Sequence, residues 1–197
     1  MRGGGNPKSE VERLVIGLSG ASGVAYGIRA LEACRELGIE SHLVMTKPAE
    51  MTIGYETELS PRQVAAKADF SYAVADIAAP IASGSFKTKG MIVAPCSVRT
   101  MSEIATGVTT NLLTRSADVM LKERRPLILM VRETPLHLGH LRTMTALAEM
   151  GAIILPPVPA FYIGGEEIGR FLDHYVLRVL DRFRIPEEGE PGLRWGA

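Results

Sequence analysis

The 197-residue sequence has no surplus of charge of either sign: lysine plus arginine number 22, and aspartate plus glutamate number 22. A nucleic-acid surface normally carries a basic excess, so this balance speaks against a nucleic-acid partner. Cysteine is scarce. Cys34 and Cys96 are too few for a disulfide framework and fit a reducing, cytoplasmic setting. No apolar run reaches the roughly 18 residues of a membrane span. No aspartate-rich motif is present to gather Mg²⁺, and His137 and His140, three apart, have no legible third ligand. No metal is therefore expected. The opening MRGGGNPKSEVE is polar and glycine-rich and reads as a flexible leader, residues 1–12, rather than a signal peptide.

What is present is an alternation. The runs RLVIGLS (13–19), ESHLVMT (40–46), MIVAP (91–95), PLILMV (126–131) and AIILP (152–156) are nearly continuous in apolar residues. Strands covered on both faces look like this. Helical spacing falls between and after them, at 24–37, 97–106, 111–123, 137–150 and 165–183. The pattern predicts an α/β fold, a three-layer Rossmann-like sandwich with a mostly parallel sheet, forming one domain over residues 13–185. Residues 186–197, with the lone Trp195, read as a tail. Ligands of such sheets sit beyond the carboxyl ends of the strands.

Three loops at such ends carry chemistry. SGASG follows the first strand, and its glycines predict a turn that aims backbone amides at an anion; tight strand-to-helix packing is the alternative. The second strand ends in Met45, Thr46 and Lys47, with no carboxylate for a ribose, which favours a mononucleotide over a dinucleotide. After the next strand, PCSVRT opens a helix with Ser97, Arg99 and Thr100. Cys96 has no partner base in view and reads as a small buried hydrophobe. VRETPL then sets Arg132 and Glu133 directly after the most apolar run.

Together SGASG, SGSF…GMIVAPCS, RSADVMLKERRPL, VRETPL and PPVPAFY resemble the UbiX/Pad-type flavin prenyltransferases over about Arg13 to Phe183. The resemblance implies transfer of a dimethylallyl group from dimethylallyl phosphate to N5 and C6 of reduced FMN, without metal. The prenylated FMN would serve a UbiD-type decarboxylase. It implies a homo-oligomer, typically a dodecamer, with sites at subunit interfaces. By similarity Gly20, Ala21 and Ser22 form a flavin-binding turn, joined by Thr46, by Ser97, Val98, Arg99 and Thr100, and by Arg132. Tyr162, Arg178 and Lys122 match positions that hold the donor phosphate, and Phe86 would offer a π face to the allyl cation. Glu56 and Glu133 match carboxylates that handle protons, and Ser22 is counted with them as catalytic.

The chain departs from the family pattern at Val98 and Arg99, where Met and Lys are usual, and at Arg142 and Thr143, where Glu and Asn are usual. The related cysteine decarboxylases carry a PASANT-like motif with an asparagine, which PCSVRT lacks. A second reading makes the chain an FMN-binding accessory subunit of a hydroxyarylic-acid decarboxylase.

Overall fold

The computed structural model describes residues 11–163 and 167–183. Most of the leader and all of the tail with Trp195 lie outside the described residues. Six strands form a single sheet: β1 (Arg13–Leu18), β2 (Glu40–Met45), β3 (Phe70–Tyr72), β4 (Gly90–Cys96), β5 (Leu127–Val131) and β6 (Ile153–Ile154). They lie in the order β3-β2-β1-β4-β5-β6, and every neighbouring pair is parallel. The strand order reverses between β1 and β4, so the loops leaving these two strands diverge and leave a crevice.

Helices cover both faces. The face of α1 (Val24–Glu36) and α7 (Ile168–Leu180) buries Leu14, Ile16, Leu43, Ile92 and Ile128, together with Ile53 of α2 (Lys47–Glu56) and Val64 of α3 (Pro61–Ala65). The opposite face packs α4 (Val98–Ala105), α5 (Leu112–Lys122) and α6 (Leu138–Glu149) onto Val15, Val44, Met91, Val93, Leu127 and Leu129. Successive strand residues feed alternate cores, which is why β1, β4 and β5 read as unbroken apolar runs. No described helix is long and apolar enough to cross a membrane.

The expected strands and helices recur with bounds moved by a few residues. One strand and two α-helices are additional, with short 3₁₀ turns at Pro80–Ala82 and Phe161–Ile163. β3 is three residues long and partly exposed at the sheet edge. α2 buries only Ala49 and Ile53, and α3 only Val64. Such short or weakly amphipathic segments leave little periodicity to read.

Candidate active site

The loops after β1, β2 and β4 enclose a cleft of about 450 Å³, lined by Gly20, Thr46, Lys47, Pro48 and Ser97–Thr100, with Val74, Glu103, Thr110 and Asn111 closing it. It sits at the crevice where the strand order turns. Short side chains close the helix ends around it. Thr46 Oγ1 accepts the Ala49 N–H and caps α2. Ser97 Oγ accepts the Thr100 N–H at 3.2 Å and caps α4, and Asn111 Oδ1 accepts the Thr114 N–H and caps α5. Three helix N-termini thus face one space, each with its partial positive charge. Arg99 stands exposed at the rim, paired to Glu103 at 2.9 Å. Hydroxyls, an amide and two exposed cations, Lys47 and Arg99, suit the phosphate and ring edges of a mononucleotide.

The SGASG turn behaves differently from the expectation. A Cβ on Gly20 would stand 2.2 Å from Pro48 Cβ, so the bare backbone admits the entry of α2 as well as facing the cleft. Gly23 has φ 102°, a left-handed conformation suited to glycine. The first amides of α1 are already bonded: Glu56 Oε2 accepts from Gly23 N at 2.8 Å and from Val24 N at 3.0 Å, and Oε1 accepts from Gly23 N at 3.1 Å. A protein carboxylate therefore fills the anion position expected for a ligand at α1. Ser22 is exposed beside it and Ala21 is half-buried.

Ser19 is wholly buried and joins the first and third loops. Its Oγ donates to the Pro95 carbonyl at 2.9 Å and accepts the Ser97 N–H at 2.8 Å. The β5 loop is tied in by Arg132 N, which donates to the Cys96 carbonyl at 3.1 Å. The Arg132 side chain is exposed, and Glu133 is half-buried with Oε1 accepting the neighbouring Thr134 N–H. Cys96 is fully buried, which pushes its thiol up to about 12, and Cys34 is likewise pushed up to about 12, by burial first and by Asp69 second. Neither cysteine is poised as a nucleophile at neutral pH.

A second cleft of about 440 Å³ opens after β6, between the 156–162 segment and α7. It brings together Tyr162 and Arg178, as expected, with His174, Tyr175 and Arg182 beside them. Tyr175 OH donates to the Pro156 carbonyl and pins that segment to the helix.

Two expected residues are elsewhere in the chain. Lys122 ends α5, which runs antiparallel to the strands, so it lies at the amino edge of the sheet. There its Nζ pairs with Glu123 at 2.5 Å, next to Gly84. Phe86 lies at the same edge, edge-on to His42 at 5.0 Å and under the Arg13 guanidinium at 5.3 Å. Phe86 and Lys122 thus lie at the edge of the sheet opposite the flavin turns of their own chain. Arg125, unremarked in the sequence, holds this loop by donating to the Gly84 and Phe86 carbonyls at 2.5 and 2.7 Å. His174 and Asn111 were also not singled out. Asn111 had a signal in its N-cap pattern, whereas His174 had none.

Comparison with known proteins agrees with this architecture. Residues 5–174 match the family model described as Flavoprotein. The chain is 53% identical over 186 residues to the flavin prenyltransferase UbiX of Escherichia coli strain K12, covering 94% of this chain and 98% of that one. A UbiX crystal structure in complex with FMN and dimethylallyl pyrophosphate superposes with a TM-score of 0.90 at 47% identity, covering 95% of this chain and 99% of that one. A dodecameric FMN-dependent UbiX-like decarboxylase from Escherichia coli O157:H7 gives 0.89 at 47% identity, covering 94% and 100%. The chain belongs to the Flavoprotein family and, within it, to the UbiX flavin prenyltransferases.

Proposed function

We propose that this chain joins a dimethylallyl group, delivered as dimethylallyl phosphate, to N5 and C6 of reduced FMN. The observation that carries the reading is the cleft at the β1/β4 crevice, where three capped helix N-termini and two cations converge on a mononucleotide-sized space. Reduced flavin, when bound, supplies the two nucleophilic ring positions.

The residues divide the remaining work. Thr46, Ser97 and Thr100 with the loop amides hold FMN, and Arg132 covers it from the β5 loop. Tyr162 and Arg178 bind the donor phosphate in the second cleft, neutralising charge as the carbon–oxygen bond breaks and the phosphate departs with the electron pair. To close the ring, the prenyl double bond takes up a proton at its C2 carbon while its C3 carbon bonds flavin C6, and Glu133 accepts the proton that C6 then loses. Glu56 is the less suited acceptor, since its oxygens are committed to Gly23 and Val24. Phe86 and Lys122, on the opposite edge, reach a neighbouring subunit's site in a homo-oligomer, a dodecamer by analogy with the UbiX-like relative. A cytoplasmic UbiD-type decarboxylase is the proposed recipient of the product.

An anaerobic assay tests this. Reduced FMN and dimethylallyl phosphate should yield a flavin heavier by one prenyl group. Dimethylallyl diphosphate, run in parallel, should react more slowly. Flavin that stays bound but unchanged with both donors would support an accessory FMN-binding role instead. Glu133→Gln should keep FMN binding and lose product formation by at least about 100-fold, the usual share of a general base.

A further inference from the structure

Tyr162 sits in a single turn of 3₁₀ helix, Phe161–Ile163, and is half exposed. One of its neighbours is His174 of α7, which is only 6% exposed. The Tyr162 hydroxyl and His174 Nε2 stand 3.2 Å apart, with the rings perpendicular and their centroids 5.6 Å apart. His174 precedes Arg178 by one helical turn, so both project on the same side of α7, and both line the second cleft. A rigid helix therefore carries the cation for the cleft and the anchor for its tyrosine.

We infer that His174 is a positioning residue that orients the Tyr162 hydroxyl toward the prenyl-donor phosphate, an inference that rests on the donor reading above. The reason is proton bookkeeping on one oxygen. A phenol has a single O–H and two lone pairs. If His174 Nε2 accepts that proton, the tyrosine presents only lone pairs to an anion, and the contact is repulsive. If His174 Nε2 carries a hydrogen and donates to the tyrosine oxygen, the phenolic O–H is turned to the phosphate and made a better donor by polarisation. Donor binding thus selects the Nε2–H form of His174. The histidine touches neither substrate and acts through the tyrosine.

Steady-state kinetics on the full chain, with reduced FMN saturating and dimethylallyl phosphate varied, test the inference. Tyr162→Phe should raise the KM for dimethylallyl phosphate about tenfold, the size of one hydrogen bond to a charged group. His174→Leu should raise it by a similar factor, with no greater loss of kcat than Tyr162→Phe shows, while the FMN dissociation constant stays within about twofold. His174→Gln, whose side-chain N–H can donate to the same oxygen, should restore the KM. In the Tyr162→Phe background His174→Leu should add nothing. An unchanged KM in His174→Leu, a His174→Gln variant as impaired as His174→Leu, or additive losses in the double variant would each overturn the inference while leaving the donor site standing. An unchanged KM in Tyr162→Phe would remove the donor reading itself, and the inference with it. Should His174→Leu not fold, His174→Met fills the space without bonding the hydroxyl and is held to the same outcomes.

Discussion

At the carboxyl edge of the sheet, helix N-termini are closed by small polar side chains that leave room in front of them, and Arg99 and Arg132 stand out in solvent. At the amino edge the polar groups satisfy one another. Arg13 bonds Glu40 at 2.6 Å, His42 bridges Glu40 and Tyr72 at 2.9 Å each, and Phe70 stacks on the imidazole. Arg125 consumes the carbonyls of the 84–86 loop. One edge is left open for a ligand, and the other is a finished platform. Lys122 and Phe86 belong to the platform, so residues matched to one active site lie on opposite edges of the sheet, as the proposed sharing of each site between subunits requires.

The sharpest way to break this contrast is complementation. Lys122→Ala and Arg132→Ala should each be nearly inactive as pure oligomers. Co-expressed, they should recover about a quarter of wild-type activity if subunits mix at random and each site draws on two chains. No recovery would mean that both residues serve the same chain's site. A smaller effect probes the base of the open edge. Gly20→Ala forces a methyl onto Pro48 and should cost about 1–3 kcal/mol of stability in urea unfolding, with a weakened hold on FMN. An alanine variant of wild-type stability would show that the α2 entry yields freely.

The smallest effect belongs to the closed edge. Burial outweighs the neighbouring Glu40 carboxylate and holds the His42 imidazole below its ordinary 6.5. A depressed histidine means that the unfolded chain binds more protons below pH 6.5, so stability falls as the pH drops through that value. The slope should be at most about 1.4 kcal/mol per pH unit for one proton. His42→Gln should flatten the decline just below pH 6.5, above the range in which carboxylates titrate. An unchanged pH profile would place the loss of stability on other groups.

How much of this was legible follows from where each signal is stored. β1, β2, β4 and β5 are covered on both faces, so their composition alone announces them. β3 shows its side chains to solvent at an edge and is too short for a pattern. The site loops were legible because hydroxyls and charges follow directly on apolar runs, as in Cys96-Ser97 and Val131-Arg132. Pairings across the fold were not. That Glu56 would close α1, 32 residues away in sequence, depends on the path of α2, and no local spacing encodes it. The same holds for Lys122, whose residue type suggested a phosphate but whose edge is decided by the direction of α5.

Ser19 has a further consequence. Its hydroxyl gives its proton to the Pro95 carbonyl and accepts the Ser97 N–H. The two walls of the crevice are therefore stitched together before any flavin arrives, and they move as one body. A nucleotide entering there meets a floor already set in shape, so the entropy of ordering the loops is charged to folding and not to each binding event.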